Sequence, residues 1–139
     1  MAFKKLSSYT DQPITELFNK YGAFWAFSNS QFNEAKKDNI EYVTFWGNCF
    51  CDKTTVKLFI NEYHSIFEQQ KNLFLLENKK EDIIKYELAN YESFYTGEIE
   101  EAFEVLKQYG FTLEEVKKVY PEANSKVYEN EQGLNYHTD

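Results

Sequence analysis

The sequence predicts an α+β domain dominated by helix, in which one strand and a hairpin form a small antiparallel sheet beside about five to six helices. Apolar residues recur at helical spacing through much of the chain, above all after residue 54. A stretch rich in β-branched and aromatic residues, at residues 40–45, precedes a Gly-Asn pair that is typical of hairpin turns, and residues 49–51 would form the returning strand. The 139 residues, 42% of them hydrophobic and 27% charged, are enough to bury one core. We therefore expect a single domain over residues 1–139.

The first segment is predicted to be an arm followed by a helix and a strand. Residues 1–10 have no clear period and are assigned to the arm. Pro13 suits the first turn of a helix, and Gly22 suits its C-terminal end because glycine tolerates the left-handed conformation. Residues 23–27 form a short continuous apolar run, which predicts a buried strand.

Two capping signals define later helix starts. Ser28 and Gln31 form a capping box, flanked by Phe27 and Phe32 as a hydrophobic staple, and predict a helix over about residues 29–37. Strands are expected at residues 40–45 and 49–51, around a two-residue turn at Gly47 and Asn48, with Asp52 capping the next helix. Thr112 and Glu115 form the second box, with Phe111 and Val116 as its staple, and the helix that follows stops at Pro121.

Between these signals lie three further predicted helices. A long one begins at Thr54 and ends before a polar turn at residues 78–80. The second is expected over residues 83–95, interrupted by Thr96 and Gly97, and the third over residues 99–106, closed by Gly110. Residues 122–139 are polar and are expected to form one short helix and a loose tail.

Charge is distributed unevenly along the chain. Residues 1–80 contain ten Lys and nine acidic residues, a net charge of +1, whereas residues 81–139 contain five Lys and fourteen acidic residues, a net of −9. All 15 basic residues are Lys, so the chain lacks the guanidinium fork that suits phosphates and guanine edges. Enrichment in Lys, Phe and Tyr also follows simply from an AT-rich coding sequence. An acidic half can steer the protein toward a basic partner, although a solvated helix face has the same composition.

No arrangement of residues predicts catalysis, a metal or a cofactor. Cys49 and Cys51 have the wrong spacing for a zinc knuckle or a redox pair, and the nearest His is His64 in the next element. Glu100 and Glu104 share a helix face opposite the apolar residues, as solvated carboxylates do. There is no phosphate-binding loop and no hydrolase motif, so we expect a non-enzymatic protein.

Nucleic-acid binding has partial support in the sequence. Aromatic residues make up 19% of the chain and could stack on unpaired bases, so a single-stranded nucleic-acid binder stays open as an alternative. The segment around Gly110 resembles the turn of a helix-turn-helix, but the helix after it begins with Glu114 and Glu115, which phosphates would repel. The chain has no basic stripe beyond the pairs Lys36-Lys37 and Lys79-Lys80, and the sequence therefore argues against direct nucleic-acid binding.

A protein that acts by contact with a basic protein surface is the remaining prediction. The candidate contact residues combine carboxylates of the acidic half with the aromatic residue at the hairpin tip: Glu98, Glu100, Glu101, Glu104, Glu114, Glu115 and Trp46. No apolar run approaches the length of a membrane span, and the first residues lack the apolar stretch of a signal peptide. We therefore expect a soluble, intracellular protein.

One motif adds a resemblance. Residues 24–32 have the sequence Phe-Trp-Ala-Phe-Ser-Asn-Ser-Gln-Phe, which resembles a small family of unknown function from phages, plasmids and other mobile elements of low-GC bacteria. Further similarity lies at residues 87–92 and 95–100. Members of that family place Gly-Met-x-Cys-Pro near the hairpin, whereas residues 46–51 here are Trp-Gly-Asn-Cys-Phe-Cys, so the turn chemistry is expected to differ.

The resemblance implies no catalytic residues, but it implies a genetic context. Small acidic proteins of mobile elements often inhibit host defence, as anti-CRISPR and anti-restriction proteins do. The expected function is thus inhibition of an RNA-guided or restriction nuclease, in the cytoplasm of a bacterial host, by docking on its basic surface. The alternative is an accessory binding protein of a phage or plasmid.

Overall fold

The structure is a computed structural model that describes residues 2–122, 127–130 and 133–136. These residues contain seven helices and two small antiparallel sheets, which confirms the predicted helix-dominated α+β class. The chain divides into two compact units. We call residues 4–74 the aromatic unit, and residues 75–139 together with residues 1–3 the acidic unit. That the whole chain behaves as one domain stays a prediction.

Helix α1 spans Ser7–Tyr21, so the predicted start at Pro13 was wrong and residues 7–10 of the predicted arm are helical. Pro13 lies inside the helix, where proline ordinarily costs about 3 kcal/mol because it removes one backbone hydrogen bond. Burial of the first turn offsets this cost: Tyr9 is buried, and its ring packs edge-on against Phe74 with centroids 5.9 Å apart. Gly22 ends the helix with φ 65°, as predicted.

A three-stranded sheet forms the centre of the aromatic unit. Strands β1 (Phe24–Trp25), β2 (Tyr42–Phe45) and β3 (Cys49–Asp52) lie in the order β1-β3-β2, with both pairings antiparallel. This confirms the prediction of one strand plus a hairpin, although β1 is shorter than the run at residues 23–27 suggested.

The hairpin turn has three residues rather than the predicted two, because Phe45 pairs directly with Cys49. Trp46 (φ 52°) and Gly47 (φ 88°) both take positive φ, which is uncommon for a bulky residue. The Trp46 ring packs on Tyr63, with centroids 4.7 Å apart, and this contact holds the residue in its left-handed conformation.

The two faces of the sheet are covered by different elements. Cys49 and Cys51 are fully buried on one face, and Phe59 of helix α3 (Val56–Glu77) packs against Phe45, from the neighbouring strand, and Phe18 of α1. The opposite face is covered by helix α2 (Asn29–Ala35) through an aromatic cluster made of Phe24, Phe32, Tyr42 and Phe50. Both helices occur where the sequence predicts them.

The cap of α2 at Ser28 is confirmed, but the Gln31 side chain does not return to the Ser28 amide as it does in a standard capping box. The Gln31 amide donates to Ser28 Oγ at 3.1 Å, while the Gln31 side-chain oxygen accepts from the Phe27 amide at 2.7 Å, one residue before the cap. The ring of Phe27 stacks on Trp25. Asp52 accepts a hydrogen bond from the Thr54 amide at 2.8 Å and so stabilises the turn that leads into α3.

The acidic unit contains four helices: α4 (Lys80–Asn90), α5 (Ser93–Thr96), α6 (Glu100–Gln108) and α7 (Leu113–Val119). The predicted continuous helix over residues 83–95 was wrong, since Glu92 takes φ 57° and separates α4 from α5. The break leaves Tyr95 93% exposed, although helical periodicity assigned it to the apolar stripe with Leu88, which is fully buried. The core here is mostly aliphatic: Ile83, Ile84, Leu88, Ile99, Leu106 and Val116.

Both halves of the predicted capping box at α7 are present. Thr112 Oγ1 accepts from the Glu115 amide at 3.1 Å, and the Glu115 carboxylate accepts from the Thr112 amide at 2.9 Å. Strands β4 (Val127–Asn130) and β5 (Gly133–Tyr136) pair antiparallel, so the predicted short helix in this region was wrong. Val and Tyr favour strands, and Gly133 disfavours helix. The predicted tail also includes residues 123–126, 131–132 and 137–139, which lie outside the described residues.

Candidate functional site

The acidic unit brings three of the predicted contact residues to one cleft. Glu98 lies just before α6, and Glu100 and Glu101 form its first turn. The cleft has a volume of about 210 Å³ and is lined by Tyr91, Glu92, Thr96, Glu98, Glu100 and Glu101. We call the four carboxylates of this cleft, Glu92, Glu98, Glu100 and Glu101, the acidic surface.

Much of the charge on the acidic surface has no cation beside it. Glu92, Glu98 and Glu101 are exposed and make no salt bridge with any residue in the described part of the chain. The amide of Glu98 donates to Thr96 Oγ1 at 3.1 Å, which orders the loop before α6. Glu104, also exposed, follows Glu100 by one helical turn. Negative potential is therefore concentrated at this end of α6.

One aromatic residue, Tyr91, lines the cleft of the acidic surface, and two more lie on helix α5 between the lining residues Glu92 and Thr96. Tyr91 is 37% exposed, and helix α5 carries Phe94 and Tyr95, which are 47% and 93% exposed. The Phe94 ring packs on Tyr120 with centroids 4.9 Å apart, which fixes its position. Exposed aromatic rings beside carboxylates suit Lys and Arg side chains, because the ring faces attract a cation that the carboxylates also attract.

Glu114 and Glu115 lie at the start of α7 and differ from each other. Glu114 is exposed. The carboxylate of Glu115 accepts from Thr112 and lies 3.4 Å from Lys80 Nζ. The hydrogen bond from the Thr112 amide, helped by Lys80, holds the pKa of Glu115 below its usual value. Glu115 is thus already engaged in capping its own helix.

Trp46, the aromatic candidate, belongs to the aromatic unit. It is 43% exposed at the hairpin tip. Its ring contacts Phe45 at 4.8 Å, Tyr63 at 4.7 Å and Phe59 at 6.1 Å, measured between centroids. Trp46 therefore combines an exposed edge with a face that packs on the core of its unit.

A second cleft, in the aromatic unit, carries no charge. It has a volume of about 410 Å³ and is lined by Ala26, Phe27, Ser28, Asn29, Phe32, Asn48 and Phe50; we call it the neutral cleft. Phe27 is 68% exposed at its edge, and its ring is nearly parallel to that of Trp25, which is 46% exposed. Phe27 was predicted to lie in a buried strand and to act as a helix staple. The strand ends at Trp25, and the expected burial was wrong for both Trp25 and Phe27.

A profile of a family of unknown function, DUF7659, matches residues 6–126. The chain belongs to the DUF7659 family. No curated protein matches it, and no solved structure does. Membership supplies neither an activity nor site residues, so the function of this DUF7659 chain must be argued from its own surfaces.

The two cysteines of the DUF7659 chain are unsuited to nucleophilic attack in this structure. Burial raises the pKa of the Cys49 thiol to about 11, and burial also raises the pKa of Cys51. Cys51 Sγ lies 3.8 Å from Thr55 Oγ1. Among the residues that the structure describes, no three His, Cys, Asp or Glu side chains are placed to hold a metal ion.

Two titratable groups of the DUF7659 chain escaped the sequence analysis. Desolvation raises the pKa of Glu87, which is half-buried on α4. Desolvation, and then the nearby Glu87 carboxylate, raise the pKa of Tyr109 to about 12. Neither residue lies in a run of charges, and only their burial in the folded chain distinguishes them from other titratable residues. As for membranes, none of the described helices is both long and apolar enough to cross a bilayer.

Proposed function

We propose that this DUF7659 protein acts by binding a basic protein surface through its acidic surface. One observation carries the proposal: Glu92, Glu98 and Glu101 line one cleft without cationic partners in the described residues, together with the partly exposed ring of Tyr91. Carboxylates held close together repel one another, and Lys or Arg side chains that approach them lower this electrostatic free energy. The negative potential also raises the rate of association with a basic partner.

The aromatic residues make this surface more than a charged patch. Tyr95 and Phe94 supply contact area that loses little conformational entropy on binding, and their rings attract Lys and Arg. Interfaces of this kind place aromatic anchors among complementary charges. The contact of Phe94 with Tyr120 means that this ring, on the helix next to the acidic surface, is already ordered before a partner arrives.

The partner class that we propose is a host defence nuclease, either RNA-guided or of the restriction type. Such enzymes hold phosphates with Lys and Arg in a basic channel. Carboxylates of the acidic surface would pair with those cations where phosphates otherwise lie. The DUF7659 protein would then compete with nucleic acid without itself catalysing a reaction.

Comparative capture from a bacterial host lysate tests the surface. The bait is the wild-type chain or a variant with Glu98, Glu100, Glu101 and Glu104 changed to Gln, which keeps helix propensity. A matched control changes four exposed glutamates of the aromatic unit, Glu16, Glu34, Glu41 and Glu68, and so removes the same charge elsewhere. We expect one nuclease to be retained by wild type and control and lost from the first variant. Equal retention by all three baits would contradict the proposal.

Stoichiometry tests the mode of action. Purified nuclease is titrated with the DUF7659 protein while nucleic-acid cleavage is measured. An inhibitor that occupies a channel abolishes cleavage only as its concentration reaches that of the nuclease binding sites. Complete inhibition at a small fraction of that concentration would indicate an enzyme and would overturn the proposal.

An accessory binding protein of a mobile element is the second candidate, and the same acidic surface supports it. In that case the captured partner is a basic protein that does not cleave nucleic acid. If the four-Gln variant no longer captures that partner, the acidic surface is still the binding surface, but the partner is the basic protein rather than a nuclease.

A further inference from the structure

The neutral cleft of the aromatic unit has a preformed apolar wall. The rings of Phe32 and Phe50 lie 4.9 Å apart, and Phe50 stacks on Phe24 with centroids 5.7 Å apart and planes at 18°. The backbone amide of Ala26 donates to the Asn48 carbonyl at 3.0 Å, which joins the two loops at the mouth of the cleft. A ligand would therefore meet rings whose positions are already fixed by their neighbours.

The cleft is also lined by polar residues, Ser28, Asn29 and Asn48, beside the aromatic rings. The side-chain amides of Asn29 and Asn48 are exposed and make no hydrogen bond to any residue in the described ranges. Each amide offers both donors and an acceptor. Ser28 Oγ accepts from the Gln31 amide at 3.1 Å, and its own hydrogen stays available to donate. These residues can thus pair with a ligand edge that alternates donors and acceptors.

We propose that the neutral cleft binds the uncharged base of a nucleoside. A nucleobase has an apolar face that stacks on aromatic rings, such as that of Phe27, and an edge of donors and acceptors. A side-chain amide of Asn matches such an edge with two hydrogen bonds, as it does for adenine. The cleft volume of about 410 Å³ lies within the range of small-molecule sites.

The lining also selects against other ligands. A sugar carries hydroxyl groups around its whole ring, and three phenylalanines would leave several of them without partners. None of the seven lining residues is charged, so the cleft supplies no cation for a phosphate. The chain as a whole has a net charge of −8, which opposes a polyanion. The occupant is therefore a mononucleoside rather than a nucleic-acid strand.

This inference is independent of the proposed function, since it concerns another unit, another ligand chemistry and a surface without carboxylates. Failure of one leaves the other standing. The probes are adenosine, adenosine monophosphate, a single-stranded hexamer of deoxyadenosine and methyl glucoside, each titrated into the isotope-labelled full chain and followed by amide NMR signals. The side-chain amide signals of Asn29 and Asn48 report on the cleft directly.

We expect adenosine to shift those signals. Adenosine monophosphate should bind with an affinity within about twofold of that of adenosine, and this affinity should depend little on salt, because no phosphate contact contributes. Phe27→Leu removes the ring and keeps an apolar side chain, and Asn48→Ala removes one amide; each should weaken adenosine binding about tenfold. Asn33→Ala, on the same helix but outside the cleft, and Phe94→Leu, in the acidic unit, should leave it unchanged.

Four results would overturn the inference: no shift with adenosine, a preference for methyl glucoside, binding of only the phosphate-bearing probes, or equal loss in the two control variants. Binding of the hexamer more than tenfold tighter than adenosine, with a steep salt dependence, would also contradict a mononucleoside site. A backbone amide spectrum of Phe27→Leu that matches wild type outside the cleft shows that the variant is folded, so its loss of binding reports on stacking.

Discussion

The two units differ in how far aromatic residues build their cores. In the aromatic unit, Phe59 is fully buried and contacts a ring of other aromatic side chains: Phe18, Tyr21, Phe45, Trp46 and Tyr63. In the acidic unit the fully buried residues are largely aliphatic, while Phe94 and Tyr95 are exposed. The difference is one of degree, because the acidic unit also buries Phe103 and Phe111, and the aromatic unit also exposes Trp25 and Phe27.

Composition alone does not show this difference. The aromatic content of 19% was explained by an AT-rich coding sequence or by stacking on unpaired bases, whereas the structure places many of these rings in the core of the aromatic unit. Charge follows the same division, since most of the negative excess lies after residue 80. The comparison leads to predictions that differ in size between the units.

The largest effect is expected in the aromatic core. Phe59→Ala removes the ring at its centre and should lower the free energy of unfolding by roughly 3–5 kcal/mol, because the surrounding rings cannot close the cavity fully. Both tryptophans, Trp25 and Trp46, lie in this unit, so the urea transition followed by tryptophan fluorescence measures it. Tyr95→Ala in the acidic unit, which removes an exposed ring, is the control and should change the transition little. An unshifted midpoint for Phe59→Ala would show that the ring network does not hold the unit together.

A smaller effect is expected from the buried thiol of Cys49. Its pKa is about 11 in the folded chain, above the value of 9.0 for an unperturbed thiol. The unfolded chain therefore loses this proton first as the pH rises, and the free energy of unfolding falls between pH 9 and about 11, by at most about 1.4 kcal/mol per pH unit. The pH dependence of urea unfolding, measured for wild type and Cys49→Ala, checks this. Identical slopes in that window would mean that the thiol is not desolvated.

The helix caps are expected to matter less, and differently in the two units. Thr112→Ala removes a complete capping box from the acidic unit and should cost about 1 kcal/mol. Ser28→Ala should cost about 0.5 kcal/mol, because α2 has no fully buried residue and can fray locally. Urea denaturation of both variants, with Ser30→Ala as a control on the exposed face of α2, gives the comparison. Equal losses for Thr112→Ala and Ser28→Ala would show that α2 is as strongly coupled to its unit as α7.

No effect is expected from metal removal. We predict that the purified protein carries no stoichiometric zinc and that a chelator leaves its melting temperature unchanged, because Cys49 and Cys51 lack further ligands among the described residues. Elemental analysis before and after chelation is the measurement. One zinc per chain would contradict the prediction and would make Cys49, Cys51 and His64 the first residues to substitute.

Local signals explain which parts of the fold could be predicted. Ser28 and Thr112 cap helices through hydrogen bonds to residues three positions away, so the sequence shows the cap directly. The start of α1 could not be found in this way. Its first turn is stabilised by Tyr9 packing on Phe74, a contact between residues 65 positions apart that no local pattern indicates.

The acidic surface was predicted in part for the same reason. Glu98, Glu100 and Glu101 form a dense local run, and the structure brings them to one cleft. Tyr91 and Tyr95 were assigned to an apolar stripe, because helical periodicity takes no account of the left-handed residue at Glu92. The neutral cleft combines residues from two loops, helix α2 and strand β3, so its composition becomes visible only in three dimensions.

Association kinetics with the captured partner test the central claim most directly. Charges at an interface rim act mainly on the association rate and its salt dependence. We expect the variant with Glu98, Glu100, Glu101 and Glu104 changed to Gln to associate at least tenfold more slowly at low salt, with a shallower salt dependence. The control with four glutamates of the aromatic unit changed should resemble wild type. An unchanged rate and salt dependence in the first variant would contradict electrostatic docking by the acidic unit and would direct the search to the aromatic unit, beginning with Trp46.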